Sequence, residues 1–173
     1  MTSSSHEPAT RSLRTIPIDD GAEAFVEMLN NTGVEYMFLN SGTDTFPILE
    51  AFARMAEQER PVPKIVVCID ESTAMFAAHG FYQLTGRTQA VLVHVDAGTA
   101  QIGGAYHDAQ RDRAAIVVCA GRAPATFGTG VPGGKDMSIH WIQEQRDQSS
   151  IVRTFTKWEN ELRRAESTGF IVH

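Results

Sequence analysis

Hydrophobic positions along the chain follow two alternating patterns. Runs of consecutive apolar, largely β-branched residues predict strands, whereas apolar residues three and four positions apart predict amphipathic helices. The two patterns alternate from residue 21 to residue 120 at a spacing typical of parallel strands joined by helices. We therefore predict an α/β fold with three layers, α/β/α, around a mainly parallel sheet. The four strands are predicted at residues 34–39, 65–69, 90–95 and 114–120.

Local signals indicate where the predicted helices begin and end. Asp19 or Asp20 can cap the first helix, and Gly33 can end it. Gly86 likewise ends the helix that follows the second strand. After residue 120 the pattern predicts a short helix opened by Asp136, a fifth strand at residues 151–156 and the start of another helix at residues 167–173.

Sheets of this kind bind ligands outside the carboxyl ends of their strands. The loops that follow the four strands are expected to gather along one side of the sheet, which we call the carboxyl edge. A functional site is therefore predicted there. These loops are residues 40–43, 70–72, 96–99 and 121–124, and a glycine- and proline-rich loop over the same edge is predicted at residues 125–134.

The stretch from Ile65 to Ala74 joins an apolar strand directly to a helix that starts with acidic residues. The almost uninterrupted apolar run predicts a strand that is covered on both faces. Asp70 and Glu71 follow it, at the rim of an apolar core. Acidic residues are common at helix N-termini because they accept hydrogen bonds from backbone N–H groups and favour the helix dipole. From this stretch alone, Glu71 is explained as well by capping as by catalysis.

Composition narrows the classes of function. The chain of 173 residues has a formal net charge of -6, which argues against a nucleic-acid-binding surface because such surfaces need clustered lysine and arginine. The sequence has no apolar run near the roughly 20 residues that span a bilayer. We therefore expect a soluble cytoplasmic protein with no nucleic-acid or membrane partner. Cys68 and Cys119 lie in predicted buried strands and are expected to be reduced core residues.

Other short motifs give weak signals. Residues 128–133 match G-x-G-x-x-G but begin several residues after a strand, whereas a dinucleotide fingerprint joins a strand directly to a helix. Ser41 lacks the G-x-S-x-G context of a nucleophile elbow. The histidines show no metal-ligand spacing, so packed or surface positions are favoured over a metal site. These histidines are His79, His94, His107 and His140.

An ordered series of segments resembles one enzyme family. The most specific segment is residues 77–87, which is similar to the family's Ala-Ala-Glu-Gly-Tyr-Ala-Arg-x-Thr-Gly-Arg helix. From residue 21 to residue 156, the chain resembles the pyrimidine-binding (PYR) domain of thiamine diphosphate enzymes of the acetolactate synthase and 2-oxoacid decarboxylase family. The other matching segments are residues 21–29, Gly33-Val34, Ser41-Gly42, Asp70-Glu71-Ser72, residues 97–101, residues 104–109, residues 116–121, Gln143-Glu144 and Thr156-Lys157.

The resemblance implies roles for four residues. In this family a glutamic acid at the position of Glu71 hydrogen-bonds N1′ of the cofactor pyrimidine and favours the tautomer whose 4′-nitrogen removes the C2 proton. An apolar rim suits that role, because burial raises the pKa of a carboxyl group. By the same resemblance, Gly42, Gly98 and Gln143 bind the cofactor near the reacting centre. The implied reaction is decarboxylation of a 2-oxoacid, or carboligation, by thiamine diphosphate.

The resemblance also implies what other parts of the enzyme supply. Family members bind the diphosphate and Mg²⁺ on a second domain through a Gly-Asp-Gly motif followed by asparagine, and this sequence has no such motif. We expect a flexible leader at residues 1–15 and a PYR domain at residues 16–173 that is incomplete at its C-terminal end and inactive alone. Expected partners are the diphosphate-binding domain of the full-length enzyme, further copies in a homodimer or homotetramer, and a small 2-oxoacid.

Three alternatives remain open at this point. The chain is also consistent with a non-catalytic PYR-like module kept for assembly or regulation. It is consistent with one subunit of a two-chain thiamine diphosphate decarboxylase. The third alternative is a small α/β ligand-binding module of another kind, because a fold alone does not define a function.

Overall fold

The computed structural model of the protein describes residues 15–128, 130 and 133–171. The first fourteen residues of the predicted leader, part of the 128–133 motif and the last two residues lie outside the described part. Short 3₁₀ turns lie at Thr43–Thr45, Gln148–Ile151, Arg153–Phe155 and Ala165–Ser167. The main elements are α1 (Gly21–Asn31), β1 (Tyr36–Leu39), α2 (Phe46–Glu57), β2 (Lys64–Val67), α3 (Glu71–Thr85), β3 (Gln89–Val93), α4 (Val95–Gln101), α5 (Gly103–Arg111), β4 (Ile116–Ala120), α6 (Ile139–Ile142) and α7 (Thr168–Ile171).

The described strands form one parallel sheet in the order β2-β1-β3-β4. In β1, Tyr36 lies opposite Lys64 of β2, and Met37 lies opposite Ala90 of β3. All three pairings are parallel. Parallel neighbours need a crossover connection, and helices supply it between successive strands. The predicted alternation of strands and helices around a parallel sheet is therefore confirmed.

Two apolar cores lie on opposite faces of the sheet. Met37 and Leu39 of β1 pack with residues of α1 and α2. Phe38 of the same strand packs on the other face, with Val91 and Val93 of β3 and with residues of α3 and α5. This alternation follows from strand geometry, in which successive side chains point to opposite faces. The predicted three-layer arrangement is confirmed.

The prediction that the second strand is covered on both faces is wrong. β2 is one of the two edge strands of the described sheet, and Val67 is 73% exposed while Ile69, just beyond the strand, is 89% exposed. β-branched residues favour an extended backbone, but the cover of each face depends on neighbours that are distant in sequence. Cys68 and Cys119, expected in the core, are free and only partly buried. Burial nevertheless raises the pKa of the Cys119 thiol to about 12.

The predicted fifth strand at residues 151–156 is also wrong, because this segment forms 3₁₀ turns. The Asp147 carboxylate accepts a hydrogen bond from the Ser150 backbone N–H at 3.3 Å and one from Arg153 at 2.8 Å. Such local side-chain bonds compete with strand pairing and close the turns. The residues 96–99, predicted as a loop, lie within α4.

Candidate active site

Asp70, and not the neighbouring Glu71, caps the start of α3. It is the N-cap of α3, and its carboxylate accepts hydrogen bonds from the Thr73 backbone N–H at 2.7 Å and from the Thr73 hydroxyl at 2.9 Å. The backbone N–H of Thr73 is the main reason why the pKa of Asp70 lies below its usual value, and the Thr73 hydroxyl adds to it. The start of α3 is therefore capped without any contribution from Glu71.

Glu71 is the first residue of α3, and it is only 7% exposed. Its carboxyl group packs against α4, where a Cβ added to Gly98 would lie 2.8 Å from Glu71 Oε1. Within the described part of the chain, no group donates a hydrogen bond to this carboxyl. Glu71 is therefore largely buried while its carboxyl has no donor among the described residues, which leaves its oxygens available to water or to a ligand.

The contact between Glu71 and Gly98 is supported by one hydrogen bond between the two helices and one within α4. The Ser72 hydroxyl donates to the Gln101 carbonyl at the end of α4, at 2.8 Å. Within α4, the Thr99 hydroxyl donates to the Val95 carbonyl at 2.6 Å. The Ser72 bond ties the first turn of α3 to α4, which keeps the Glu71 carboxyl beside Gly98.

A second polar cluster joins the ends of β1 and β3. One carboxylate oxygen of Asp44 bonds Nδ1 of His94, and the other accepts the Val95 N–H at 3.1 Å. Because a carboxylate is only an acceptor, Nδ1 of the ring carries a proton. The Gln143 side-chain nitrogen lies 3.1 Å from Nε2, which accepts its hydrogen bond in the neutral ring. His94 is thus held in one tautomer, with its side chain 22% exposed and that of Asp44 6% exposed.

Two glycines leave room for this cluster. A Cβ on Gly42, which follows β1, would lie 2.0 Å from His94 Nδ1. A Cβ on Gly121, which follows β4, would lie 1.5 Å from Asp44 Oδ2. Real Cβ atoms never approach other atoms so closely, so only glycine fits at either position while the Asp44–His94 pair keeps its place.

The backbone between β3 and α4 is strained at one residue. Val95 has a φ of +34°, which is unusual for a β-branched residue and costs about 1–3 kcal/mol. Its N–H bond to Asp44 helps to hold this conformation. The turn brings β3 directly into α4, so that the Gly98 N–H donates to the His94 carbonyl at 2.7 Å. His94 and the Glu71–Gly98 contact therefore lie one helical turn apart.

The four predicted site residues form two contacting groups at the carboxyl edge. Glu71 contacts Gly98, while Gly42 and Gln143 both contact His94. Sequence reasoning missed Asp44 and assigned His94 only a packed or surface position. His94 directly follows β3, and Asp44 lies in the segment after β1. The rule that located the carboxyl edge could therefore also have found them.

A cavity of about 800 Å³ lies elsewhere, at the amino ends of the strands. Its lining includes Glu27, Val34 and Arg60, which are remote from the carboxyl edge. In α/β sheets the functional edge is the opposite one. Position and side-chain chemistry therefore favour the Glu71 region over this cavity. None of the described helices is both long and apolar enough to cross a membrane.

Comparison with known proteins identifies a family and several relatives of this chain. Residues 19–151 match the family model of the thiamine pyrophosphate enzyme, N-terminal TPP binding domain. A Mycobacterium tuberculosis protein described as an acetolactate synthase large subunit, IlvX, is 30% identical over 102 residues. The match covers 59% of this chain and 19% of IlvX. The chain therefore spans about a fifth of the length of this relative.

Two solved structures share the fold at 22% sequence identity. One is from Mycobacterium smegmatis and is described as a thiamin diphosphate-dependent enzyme. The match has a TM-score of 0.69 and covers 88% of this chain and 26% of that chain. The other is the thiamine diphosphate-dependent 4-hydroxybenzoylformate decarboxylase of Rhodococcus jostii RHA1, with a TM-score of 0.68, covering 89% and 26%. Since the family model matches most of the residues, the chain belongs to the thiamine pyrophosphate enzyme family, as its N-terminal TPP-binding domain.

Proposed function

We propose that this chain supplies the pyrimidine side of a thiamine diphosphate site in a 2-oxoacid decarboxylase or carboligase similar to acetolactate synthase. Glu71 is the residue that contacts the cofactor. One observation carries the proposal: Glu71 is largely buried and its carboxyl lies beside Gly98 without a donor in the described chain, while Asp70 caps the helix. Family membership supports it and removes the alternative of an unrelated α/β ligand-binding module.

The residues at the carboxyl edge fit the pyrimidine end of this cofactor. A pyrimidine is a flat ring with nitrogen acceptors, and a protonated carboxyl is a suitable donor to one of them. The missing side chain of Gly98 lets the Glu71 carboxyl lie against α4. Among the described residues, no group of three or more His, Cys, Asp or Glu could hold a metal ion. We assign Mg²⁺ and the diphosphate to a separate domain of the enzyme.

Bound thiamine diphosphate would supply the carbon nucleophile for the 2-oxoacid carbonyl and accept the electron pair that carbon dioxide leaves behind. The task of this chain is to hold a proton at N1′ of the pyrimidine through Glu71 and to keep that carboxyl in place. Packing of Glu71 against Gly98 serves the second purpose, since catalysis depends on near-ångström positioning. Asp44 and Gln143 hold the His94 ring in one tautomer at the same edge.

Exposed apolar side chains around the carboxyl edge support an assembled enzyme. Phe46 begins α2, Val67 and Ile69 lie at and just beyond the end of β2, and Ile142 ends α6; all four are exposed. Apolar surface of this kind is typical of sites that another protein surface covers. We propose that a diphosphate-binding domain covers this edge in a homodimer or homotetramer.

The exchange of the C2 proton of thiamine diphosphate tests the role of Glu71. In the enzyme assembled with its diphosphate-binding domain, Glu71→Gln should slow this exchange by well over tenfold, because an acid-base group typically contributes about 10²–10⁴-fold. Nuclear magnetic resonance measures the exchange directly. Asp70→Asn is the matched control, because it changes the neighbouring carboxyl but keeps a good N-cap residue.

The two variants separate the competing explanations. Exchange at the wild-type rate in Glu71→Gln would remove the catalytic assignment and favour a non-catalytic assembly or regulatory module. Equal slowing in both variants would show that the start of α3, and not the Glu71 carboxyl itself, is what matters. We expect slow exchange in Glu71→Gln and near wild-type exchange in Asp70→Asn.

A further inference from the structure

Lys135 is a buried cation outside the contacts described so far. Its side chain is 3% exposed, and its ammonium group is paired with the Glu144 carboxylate. The same nitrogen lies 5.4 Å from the ring centroid of Phe127 and 5.4 Å from that of Trp141. Lys135 therefore has an anion and two aromatic faces around its charge.

The surroundings of Lys135 offset a considerable desolvation cost. Removing an ammonium group from water is unfavourable, and a single ion pair rarely does more than balance that cost. Two cation–π contacts add to the balance. Only the lysine end of the pair is fully buried, since the Glu144 side chain is 30% exposed. Apolar residues of similar size often fill such a space at no greater cost, and the geometry that the pair specifies is a reason to keep it.

The ion pair fixes a segment that reaches the candidate active site. The Lys135 backbone N–H donates to the Thr126 carbonyl at 2.7 Å, and the Lys135 carbonyl accepts from the Gly128 N–H at 3.0 Å. Lys135 is thereby fastened to the segment after β4, and Glu144 is fastened to Lys135. Gln143 immediately precedes Glu144, and its amide is the group that contacts the His94 ring.

We propose that Lys135 is a positioning residue of the candidate active site. Its ion pair with Glu144 sets the place of Gln143, and Gln143 holds the imidazole of His94 against Gly42. Other bonds also restrain this segment: the Gln143 N–H donates to the Ile139 carbonyl at 3.0 Å, and Gln145 bonds Asp96 at 3.2 Å. The Lys135–Glu144 pair is the restraint that joins Gln143 to Lys135 and, through it, to the segment after β4. The relevance of this arrangement to catalysis rests on the proposed function, whereas the contact itself needs no cofactor.

The ring nitrogens of His94 report on the proposal. In full chain labelled with ¹⁵N-histidine, proton–nitrogen correlation spectra show the tautomer and hydrogen bonding of each imidazole, and His94→Gln assigns the signal. Lys135→Met and Glu144→Gln should each shift the His94 Nε2 signal in the direction seen with Gln143→Ala. Lys64→Met is the matched control, because Lys64 also lies over an aromatic ring, Tyr36, at 5.7 Å.

Amide hydrogen exchange supplies a second measurement. Loss of the ion pair should lower the protection of the Gly128 and Lys135 amides by about tenfold or more, as expected for a charged hydrogen bond. The double variant Lys135→Met/Glu144→Gln should shift the His94 signal no further than either single variant, because both changes break one contact.

Each outcome decides the matter. A folded Lys135→Met or Glu144→Gln variant with wild-type His94 signals would overturn the proposal, even if its melting temperature were lower. A His94 shift with Lys64→Met would also contradict it. The proposed function is judged separately by Glu71→Gln, which should leave the His94 signals unchanged. If C2-proton exchange is normal in Glu71→Gln but the His94 signals are altered in Lys135→Met, the catalytic role of Glu71 is refuted and the positioning role of Lys135 is supported.

Discussion

A single methyl group at Gly98 tests whether packing holds the Glu71 carboxyl in place. The Cβ of Gly98→Ala would lie 2.8 Å from Glu71 Oε1, 3.1 Å from Glu71 Cγ and 3.2 Å from the Cβ of Val93. Val93 is fully buried in the interior strand β3, so its backbone and Cβ have little freedom to move. The Glu71 carboxyl is the end of a flexible side chain. We therefore expect the carboxyl to move and the sheet to stay.

The magnitudes predict a functional effect larger than the effect on stability. Alanine in place of glycine inside a helix contributes about 0.5–1 kcal/mol, and crowding in a packed region costs about 1–3 kcal/mol. The net loss of unfolding free energy is then about 0–2.5 kcal/mol. Displacement of a reacting group by about 1 Å can cost roughly a hundredfold in rate. In the assembled Gly98→Ala enzyme we expect C2-proton exchange to slow by roughly tenfold or more while the protein stays folded.

Urea unfolding and C2-proton exchange together provide the measurement. Gly104→Ala is the matched control, since Gly104 lies in α5 and a Cβ there would have no neighbour within 4 Å. It should raise stability by about 0.5–1 kcal/mol and leave the exchange rate unchanged. A folded Gly98→Ala enzyme with the wild-type exchange rate would refute the reasoning. So would additive slowing in Glu71→Gln/Gly98→Ala, because both changes act on one carboxyl.

Two further predictions concern stability. Gly121→Ala would place a Cβ 1.5 Å from Asp44 Oδ2 and 2.8 Å from the Asp44 Cβ, so the Asp44 bonds to His94 and Val95 would be lost. Urea unfolding should then show a destabilisation of about 1–3 kcal/mol. Unchanged stability would contradict the close approach. The lowered pKa of Asp70 contributes stability above its ordinary value of 3.8, and this contribution is lost as the pH falls through the folded-state pKa. Asparagine does not titrate, so below about pH 4 the stability of Asp70→Asn should fall less steeply with pH than that of the wild type, as measured by circular dichroism. An equal slope in the two proteins would exclude Asp70 as a source of the acid sensitivity.

The parts of the fold that the sequence predicts well depend on local or periodic signals. Gly86 ends α3 in the left-handed conformation, with a φ of +68°, as a glycine stop requires. The four strands and the layers on both faces follow from hydrophobic periodicity. Hydrophobic periodicity does not predict the exposure of β2, which depends on which strands lie at the edges of the sheet. Nor does it predict the 3₁₀ turns after Asp147, which depend on ion pairs such as Asp147–Arg153. An apolar segment therefore predicts a strand more reliably than it predicts what covers or pairs with it.

The same distinction explains which site residues were found. Asp70 and Glu71 lie at a helix start, where capping rules restrict the possible roles to two, and the hydrogen bonds to Thr73 assign capping to Asp70. The Asp44–His94 pair has no local signature, because fifty positions separate its members. Besides the position of both residues after strand ends, the pair leaves a trace in the sequence as glycine, at Gly42 and Gly121, where a Cβ would displace it. Glycines that follow strands at the carboxyl edge therefore indicate where side chains from other strands approach the backbone, and at this edge such a side chain is a candidate site residue.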